Sequence, residues 1–365
     1  MIDLEVPLAD GRGYPVVVGR GARHRLREVL PRGVRRAVVI TQEGIALDVD
    51  PGVEHTVITI GDGEEHKHLG TIEGLCRRFA DLGLTRRDCV IGVGGGLVTD
   101  VAGFAAAVFH RGIPVVHIAT SLLGMVDAAI GGKTGVNLAA AGDSVGGKNL
   151  IGAFWQPSAV LCDLEALDTL PPRELRSGRG EMAKYAWLGV DGLRDLPLEE
   201  AVAACVRLKA AVVAQDEREG VGEGGALGRR ALLNYGHTLA HALEIDGNHA
   251  LTHGEAVAIG LVFAARLAHR MGRIDADRVA QHRALNAAYD LPLDIPATHA
   301  VDRLVALMAK DKKAVDGLVF ILDGPRGCEV VPGVDPAVVR SVLAEAFLPA
   351  TSGAAPTDAV EGSAP

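Results

Sequence analysis

Between Ala37 and Leu164, short β-branched runs alternate with helical segments across short links, and no other feature limits the possible folds so strongly. Ala37–Thr41 (AVVIT), His55–Ile60, Asp88–Val93, Ile113–Thr120 and Ala159–Leu164 read as buried strands. Leu69–Leu82 and Val98–Val108 repeat with helical period, and Ala22–Leu30 is a shorter helix. Such alternation predicts an α/β fold with a doubly wound parallel sheet. Leu4–Leu8 and Tyr14–Val18 flank ADGRG as a hairpin. With 365 residues the chain can hold two domains, and its 4% aromatic content suits α/β layers better than a β-sandwich.

After Leu164 the pattern turns mainly helical. Pro171-Pro172 can open a helix, which continues through Ser177–Tyr185 with Glu181 and Lys184 one turn apart. Leu198–Ala214, Val301–Met308 and Asp335–Phe347 are further helices, Leu318–Leu322 is a strand, and Thr351–Pro365 is a low-complexity tail expected to be disordered. The net charge of −9 argues against nucleic acid or an anionic membrane as partner. The five scattered cysteines form no CxxC pair and read as reduced thiols of a cytoplasmic protein. The first residues carry acids and lack the apolar core of a signal peptide, and no apolar run is long enough to span a membrane.

Four places carry chemistry. Gly94–Asp100 (GGGLVTD) follows a strand and opens a helix, where backbone N–H groups can meet a pyrophosphate, although such a turn is often only tight. The loop Gly61–Lys67 offers Asp62, Glu64 and Lys67 at another strand end, for a ribose or phosphate. Gly131-Gly132-Lys133 and Gly146-Gly147-Lys148-Asn149 read as two turns whose lysines can find phosphate. Flexible loops with solvated lysines are the bland alternative, which the apolar flanks (LLGMVDAAI and LIGAF) argue against, and Asp127 stands alone in the apolar stretch before them. Leu233–Glu255 holds His237, His241, His249 and His253. On a helix His237, His241 and Glu244 share a face, and His253 opens the next apolar run after a polar break. A lone histidine is most often a core or capping residue. Four together, with Glu181 available from another helix, suit a divalent metal on Glu181, His237 and His253. Lys310–Lys313 (KDKK) adds a cationic run.

The motifs GDGEEHK, GGGLVTDVAGFAAAVFHRG, VDAAIGGKTGVN, GKNLIGAF, LPPREL, DERE, LLNYGHTLAHALE, HGEAVAIG and MAKDKK occur in this order. Through them the sequence resembles the 3-dehydroquinate synthase family of sugar-phosphate cyclases, over residues 1 to 347. The resemblance implies an N-terminal Rossmann-like NAD-binding domain at 1–165, a C-terminal mainly helical metal-binding and substrate domain at 166–348, and a tail at 349–365. It implies a homodimer and a cytoplasmic enzyme of the shikimate pathway of aromatic amino acid biosynthesis. Metal ligands (Zn or Co) fall on Glu181, His237 and His253. NAD contacts fall on Asp62, Gly63, Glu64, Lys67, Gly95, Gly96, Asp100, Thr120, Ser121 and Thr169, bordered by Lys133 and Lys148. Substrate contacts fall on Asp127, Lys133, Lys148, Asn149, Lys184, Lys209, Arg230, Asn234, His241 and Lys312, and Arg111 would reach the partner's phosphate site.

The implied reaction converts 3-deoxy-D-arabino-heptulosonate 7-phosphate to 3-dehydroquinate and phosphate by transient oxidation, elimination, reduction and aldol closure. Arg179-Gly180 replaces the family's usual apolar-small pair, and GVGEGGALG lengthens the loop before Arg230. A cyclase of secondary metabolism, making an aminodehydroquinate, 2-deoxy-scyllo-inosose or a valiolone, is the alternative within the superfamily. A glycerol-type dehydrogenase shares the architecture and needs fewer phosphate-binding lysines.

Overall fold

The computed structural model describes residues 1–138, 147–220, 228–247, 250–311 and 317–346, with Lys310 and Asp311 in backbone only. Lys312, His249 and the 349–365 tail, all singled out above, lie outside the described residues.

The first half builds one sheet. Its elements are β1 (Ile2–Pro7), β2 (Gly13–Gly19), α1 (Leu26–Val29), β3 (Arg36–Gln42), β4 (Glu54–Ile60), α2 (Leu69–Asp81), β5 (Cys89–Gly94), α3 (Gly96–Val108), β6 (Val115–Ala119), β7 (Lys133–Leu138), β8 (Gly147–Phe154) and β9 (Ala159–Asp163). Seven strands pair in the order β1-β2-β9-β6-β5-β3-β4. β1 runs antiparallel to β2, and all other neighbours are parallel, with Ile40 opposite Ile58 and Ile118 opposite Leu161. The period of two sorts the side chains. Val38 and Ile40 face α2 and α3, packing with Phe79, Val98 and Val101. Ala37 and Val39 face the opposite layer with Ala22, Leu26 and Leu161. With both faces covered, β5, β6 and β9 are buried end to end, which explains why they are almost wholly apolar, with His117 in β6 and Asp163 at the end of β9 as buried polar exceptions. The chain passes from β3 outward to β4 and then returns to the other side of β3 as β5. Ligand crevices form at such a reversal, outside the carboxyl ends of the strands.

The two Gly-Gly-Lys segments, expected as turns, instead place their lysines in strands. Lys133 opens β7, and Gly147-Lys148-Asn149 opens β8, which pairs antiparallel with it. Val136 is buried in the core that α3 shares with the main sheet, and Ile151 packs against the same core. The apolar residues flanking each lysine thus anchor a two-stranded ribbon.

The second half is mainly helical: α4 (Pro172–Trp187), α5 (Leu198–Gln215), α6 (His237–Asp246), α7 (His253–Arg270), α8 (Ala276–Ala288) and α9 (Val301–Asp311), then the hairpin β10 (Leu318–Leu322) and β11 (Glu329–Val334), and α10 (Pro336–Ala346). α7 is apolar nearly all round, with Ala256–Ala265 wholly buried, and α4, α6, α8 and α10 pack about it. Thr252 and Glu255 form a reciprocal capping box that fixes the start of α7 at His253. Helix α8 and strand β11 have no counterpart in the sequence reading. The buried face of α8 is polar, through His282 and Asn286, so no apolar stripe marks it, and Pro332-Gly333 gives β11 the look of a turn. No helix among the described residues is long and apolar enough to cross a membrane.

Candidate functional site

Three elements converge on one point. α4 brings Glu181, the first residue of α6 is His237, and the first residue of α7 is His253. Glu181 Oε1 lies 3.3 Å from His237 Nε2 and 3.2 Å from His253 Nε2. One donor atom from each residue falls within 4.8 Å of the others. The second ring nitrogen of each histidine is engaged behind the cage. His237 Nδ1 donates to the Tyr235 carbonyl at 3.1 Å, and His253 Nδ1 lies 3.3 Å from a Glu244 carboxylate oxygen. Both Nε2 atoms therefore face inward, the orientation that outer-shell partners impose on metal-binding imidazoles. Glu244, grouped above with His237 and His241, stands behind His253 and pairs at 2.9 Å with Lys148.

Burial sets the electrostatics. Desolvation pushes the pKa of His237 down to about 4, so this ring is neutral at physiological pH. Burial opposes charge on His253 as well, but the carboxylates of Glu181 and Glu244 outweigh it and raise the pKa to about 9. Burial also works against ionised Glu181, yet the Lys184 ammonium and His237 hold it well below the usual range. Glu181 and Lys184 are both fully buried and paired, a deeper placement than the sequence suggested.

Beside the triad lies a cavity of about 160 Å³ lined by Asp100, Asp127, Lys133, Asn149, Lys184, Lys209, Arg230, Asn234 and His237, together with Ala128, Ile130 and Leu233. Asp127 sits on a one-turn π-helix, Gly124–Ala128, and accepts from Lys209 Nζ at 2.5 Å. Burial lowers the Lys209 pKa to about 8, against the pull of Asp127. Arg230, in a 3-10 turn (Arg229–Asn234), is 1% exposed and donates to the Gly131 carbonyl at 2.8 Å. Lys133 pairs at 2.6 Å with Glu219, which also accepts from Asn234 at 3.4 Å. Glu219 holds a left-handed φ of 51°, uncommon for a side chain with a Cβ. Reading the sequence missed it as a site residue; its only signal was the DERE motif.

On the sheet side, Lys67 Nζ bridges Asp100 and Asn149 at 2.6 Å each. Asn149 holds a left-handed φ of 55°. Gly95 and Gly96 open α3 at the end of β5, where a Cβ would crowd Ser121 Oγ at 3.1 Å and Ala128 Cβ at 3.3 Å. Thr120 and Thr169 line a cleft of about 480 Å³ with Gly44–Leu47, Arg20 and Arg23, at the ends of β3, β6 and β9. Asp62 accepts from Gln42 Nε2 and the Gly63 N–H at 2.9 Å, and Glu64 accepts from Asn137 at 2.8 Å. Three of the described substrate candidates stand apart from the small cavity, Lys148 among them through its pairing with Glu244. The His241 ring meets the His237 ring edge-on at 5.5 Å, and Arg111 is exposed at φ 61°. A larger open hollow of about 850 Å³ borders Gly272–Arg278 and Gly324–Gly327, far from these groups in chemistry: its Arg273 and Arg278 are paired with Glu329 and Asp323.

Known proteins resemble the chain along most of its length. The family model for the 3-dehydroquinate synthase N-terminal region matches residues 57–177, and the C-terminal one matches 180–314. A protein of Amycolatopsis mediterranei (strain S699), provisionally named as an aminodehydroquinate synthase, is 52% identical over 341 residues, 93% of each chain. The 3-dehydroquinate synthase of Mycobacterium leprae (strain TN) is 40% identical, over 91% of this chain and 94% of its own. Among solved structures, a 2-deoxy-scyllo-inosose synthase complexed with carbaglucose-6-phosphate, NAD⁺ and Co²⁺ aligns with TM-score 0.82 at 27% identity, over 94% of this chain and all of its own. The 2-epi-5-epi-valiolone synthase of Streptomyces hygroscopicus subsp. jinggangensis 5008, with NAD⁺ and Zn²⁺ bound, aligns with TM-score 0.77 at 26% identity, over 91% and 96%.

Proposed function

The chain belongs to the 3-dehydroquinate synthase family, and from that premise we propose a phosphate-eliminating cyclase that turns 3-deoxy-D-arabino-heptulosonate 7-phosphate into 3-dehydroquinate and phosphate. One observation carries the reading: the carboxylate–imidazole triad opens onto a cavity lined by Lys133, Lys184, Lys209 and Arg230 in a chain of net charge −9. Hydride transfer from a neutral alcohol has no use for so many cations. A substrate bearing both phosphate and carboxylate does.

The residues fit the two cofactors the family implies. Two inward imidazole nitrogens and one carboxylate oxygen suit Zn or Co. Gly95 and Gly96, free of side chains at the start of α3, suit the approach of an NAD pyrophosphate. Bound there, the metal would acidify a substrate hydroxyl, and NAD would accept a hydride and later return it. The chain's own residues do the rest. Lys133, Lys148, Lys209, Arg230, Asn234 and Lys312 hold the anionic ends of the substrate. Lys184 is locked against Glu181 and keeps that carboxylate ionised despite burial. Asn149 and Lys67 join the cofactor side to the substrate side through their 2.6 Å contact. His241, beside His237, handles a proton near the leaving phosphate. Arg111, exposed and in a left-handed turn, serves the phosphate site of a second copy in a homodimer.

A second reading has its own support. Identity to the aminodehydroquinate-named relative is 52%, against 40% to the Mycobacterium leprae synthase. This favours an amino-substituted substrate handled by the same residues. Purified protein given NAD⁺, Zn²⁺ or Co²⁺ and either the heptulosonate phosphate or its amino analogue tests both, with the product identified by mass. Dehydroquinate from the first is expected. Turnover of the amino analogue alone would replace this reading with the second.

A further inference from the structure

We propose that backbone contacts between glycines set the size of the cation cage, and through it the choice of ion. The inference rests on the metal reading of Glu181, His237 and His253. Each of these residues has a glycine beside it in sequence: Gly180 precedes Glu181, Gly236 precedes His237, and Gly254 follows His253. These glycines are where the helices touch. A Cβ on Gly180 would overlap the carbonyl group of Gly254, and one on Gly254 would overlap the carbonyl of Ser177. A Cβ on Gly260, two turns along α7, would overlap the carbonyl oxygen of Gly236. The Gly254 N–H donates to Ser177 Oγ at 3.1 Å and fastens the first contact.

Every atom in these overlaps is backbone, so no rotamer change relieves them. α4 and the start of α6 are therefore seated directly on α7, with no side chain between to act as a spacer. The ligands sit one residue from the contacts, so the helix spacing passes almost undiminished into the donor spacing of 4.8 Å or less. A methyl group at 180 or 260 must separate the helices by on the order of 1 Å to restore normal contact distance. That exceeds the difference between a Zn–N bond of about 2.0–2.1 Å and a Ca–O bond of about 2.3–2.6 Å. The widened cage suits a larger ion.

Metal-free protein titrated with Zn²⁺ and with the larger Cd²⁺, for the wild type and four variants, tests this. Gly180→Ala and Gly260→Ala are expected to lose about 10–100-fold in Zn²⁺ affinity, the usual effect of disturbing a support behind a ligand, and less for Cd²⁺, so that the preference for Zn²⁺ falls about tenfold or more. Gly178→Ala is the control, because its Cβ would meet Leu122 and the Leu123 backbone instead of α7. It lowers the melting temperature and leaves the preference unchanged. Ser177→Ala adds no volume and shifts the preference the same way by a smaller factor, so it decides the matter should the glycine variants not fold. An unchanged preference in the folded variants, or an equal shift in Gly178→Ala, overturns the proposal. A wild type that binds neither ion overturns the metal site itself, which is a different result.

Discussion

His253 sits between two carboxylates, Glu181 and Glu244, and its pKa of about 9 has a direct consequence for metal uptake. Below pH 9 the ring carries a proton that an incoming ion must displace. His237, with its pKa near 4, and Glu181, held ionised, have none to give at neutral pH. Calorimetry in buffers of different ionisation enthalpy is expected to show about one proton released per ion between pH 7 and 8, with affinity rising as pH rises toward 9. Glu244→Gln removes one of the two carboxylates, so the release diminishes and affinity falls about 10–100-fold. Release unaltered by that change contradicts the placement of Glu244. Lys209 makes a second prediction. Its pKa of about 8 means the ammonium is lost above pH 8, so KM for the anionic substrate, with its phosphate and carboxylate, is expected to climb through that pH. Lys209→Arg keeps the charge and abolishes the inflection in the pH profile. The metal candidates were legible from residue type, histidines clustered in Leu233–Glu255 with Glu181 on an earlier helix, whereas helical spacing alone grouped His237 with His241 and Glu244, which lie outside the triad. Glu219 was not, because its approach to Lys133 depends on a left-handed backbone turn that no local pattern announces.

Among the elements, the β7–β8 ribbon carries the most functional weight for its size. It sets Lys133 at one end and Lys148 with Asn149 at the other; Lys133 and Asn149 line the cavity beside the triad, and Lys148 pairs with Glu244 behind His253. Gly135 and Gly152 oppose each other across it, and a Cβ on Gly152 would overlap the Thr134 carbonyl. Gly152→Ala is expected to splay the strands and reduce kcat/KM by about tenfold or more, while metal content stays stoichiometric, because α4, α6 and α7 hold the cage without the ribbon. Loss of metal in this variant shows instead that the ribbon supports the cage. The ribbon escaped the sequence reading because glycine and lysine signal loops, and its strand character comes only from Val136 and Ile151 finding the core beside α3. The helix starts were easier. Pro171-Pro172 at the start of α4 and the polar break before His253 are local signals, and both helices start where those signals put them; the Thr252–Glu255 capping box that fixes the second start is seen only in the structure.

For the molecule as a whole, the parallel sheet followed from alternation alone, since strands buried on both faces must be continuous apolar runs separated by covering helices. What alternation does not determine is the meeting of the halves. The cavity draws Asp100, Asp127, Lys133 and Asn149 from the sheet half and Lys184, Lys209, Arg230, Asn234 and His237 from the helical half. Separations of more than a hundred residues become neighbours only through packing. That junction is what a cyclase needs, with cofactor chemistry on one side and metal and anion binding on the other. The proposed reaction needs NAD as a transient hydride acceptor beside an ion held by Glu181, His237 and His253. Following inorganic phosphate and the absorbance of NADH together, with substrate in excess over NAD⁺, tests it most directly. Many equivalents of phosphate per NAD⁺ with no lasting NADH are expected, and loss of phosphate release in His253→Ala. NADH accumulating one for one with product contradicts it.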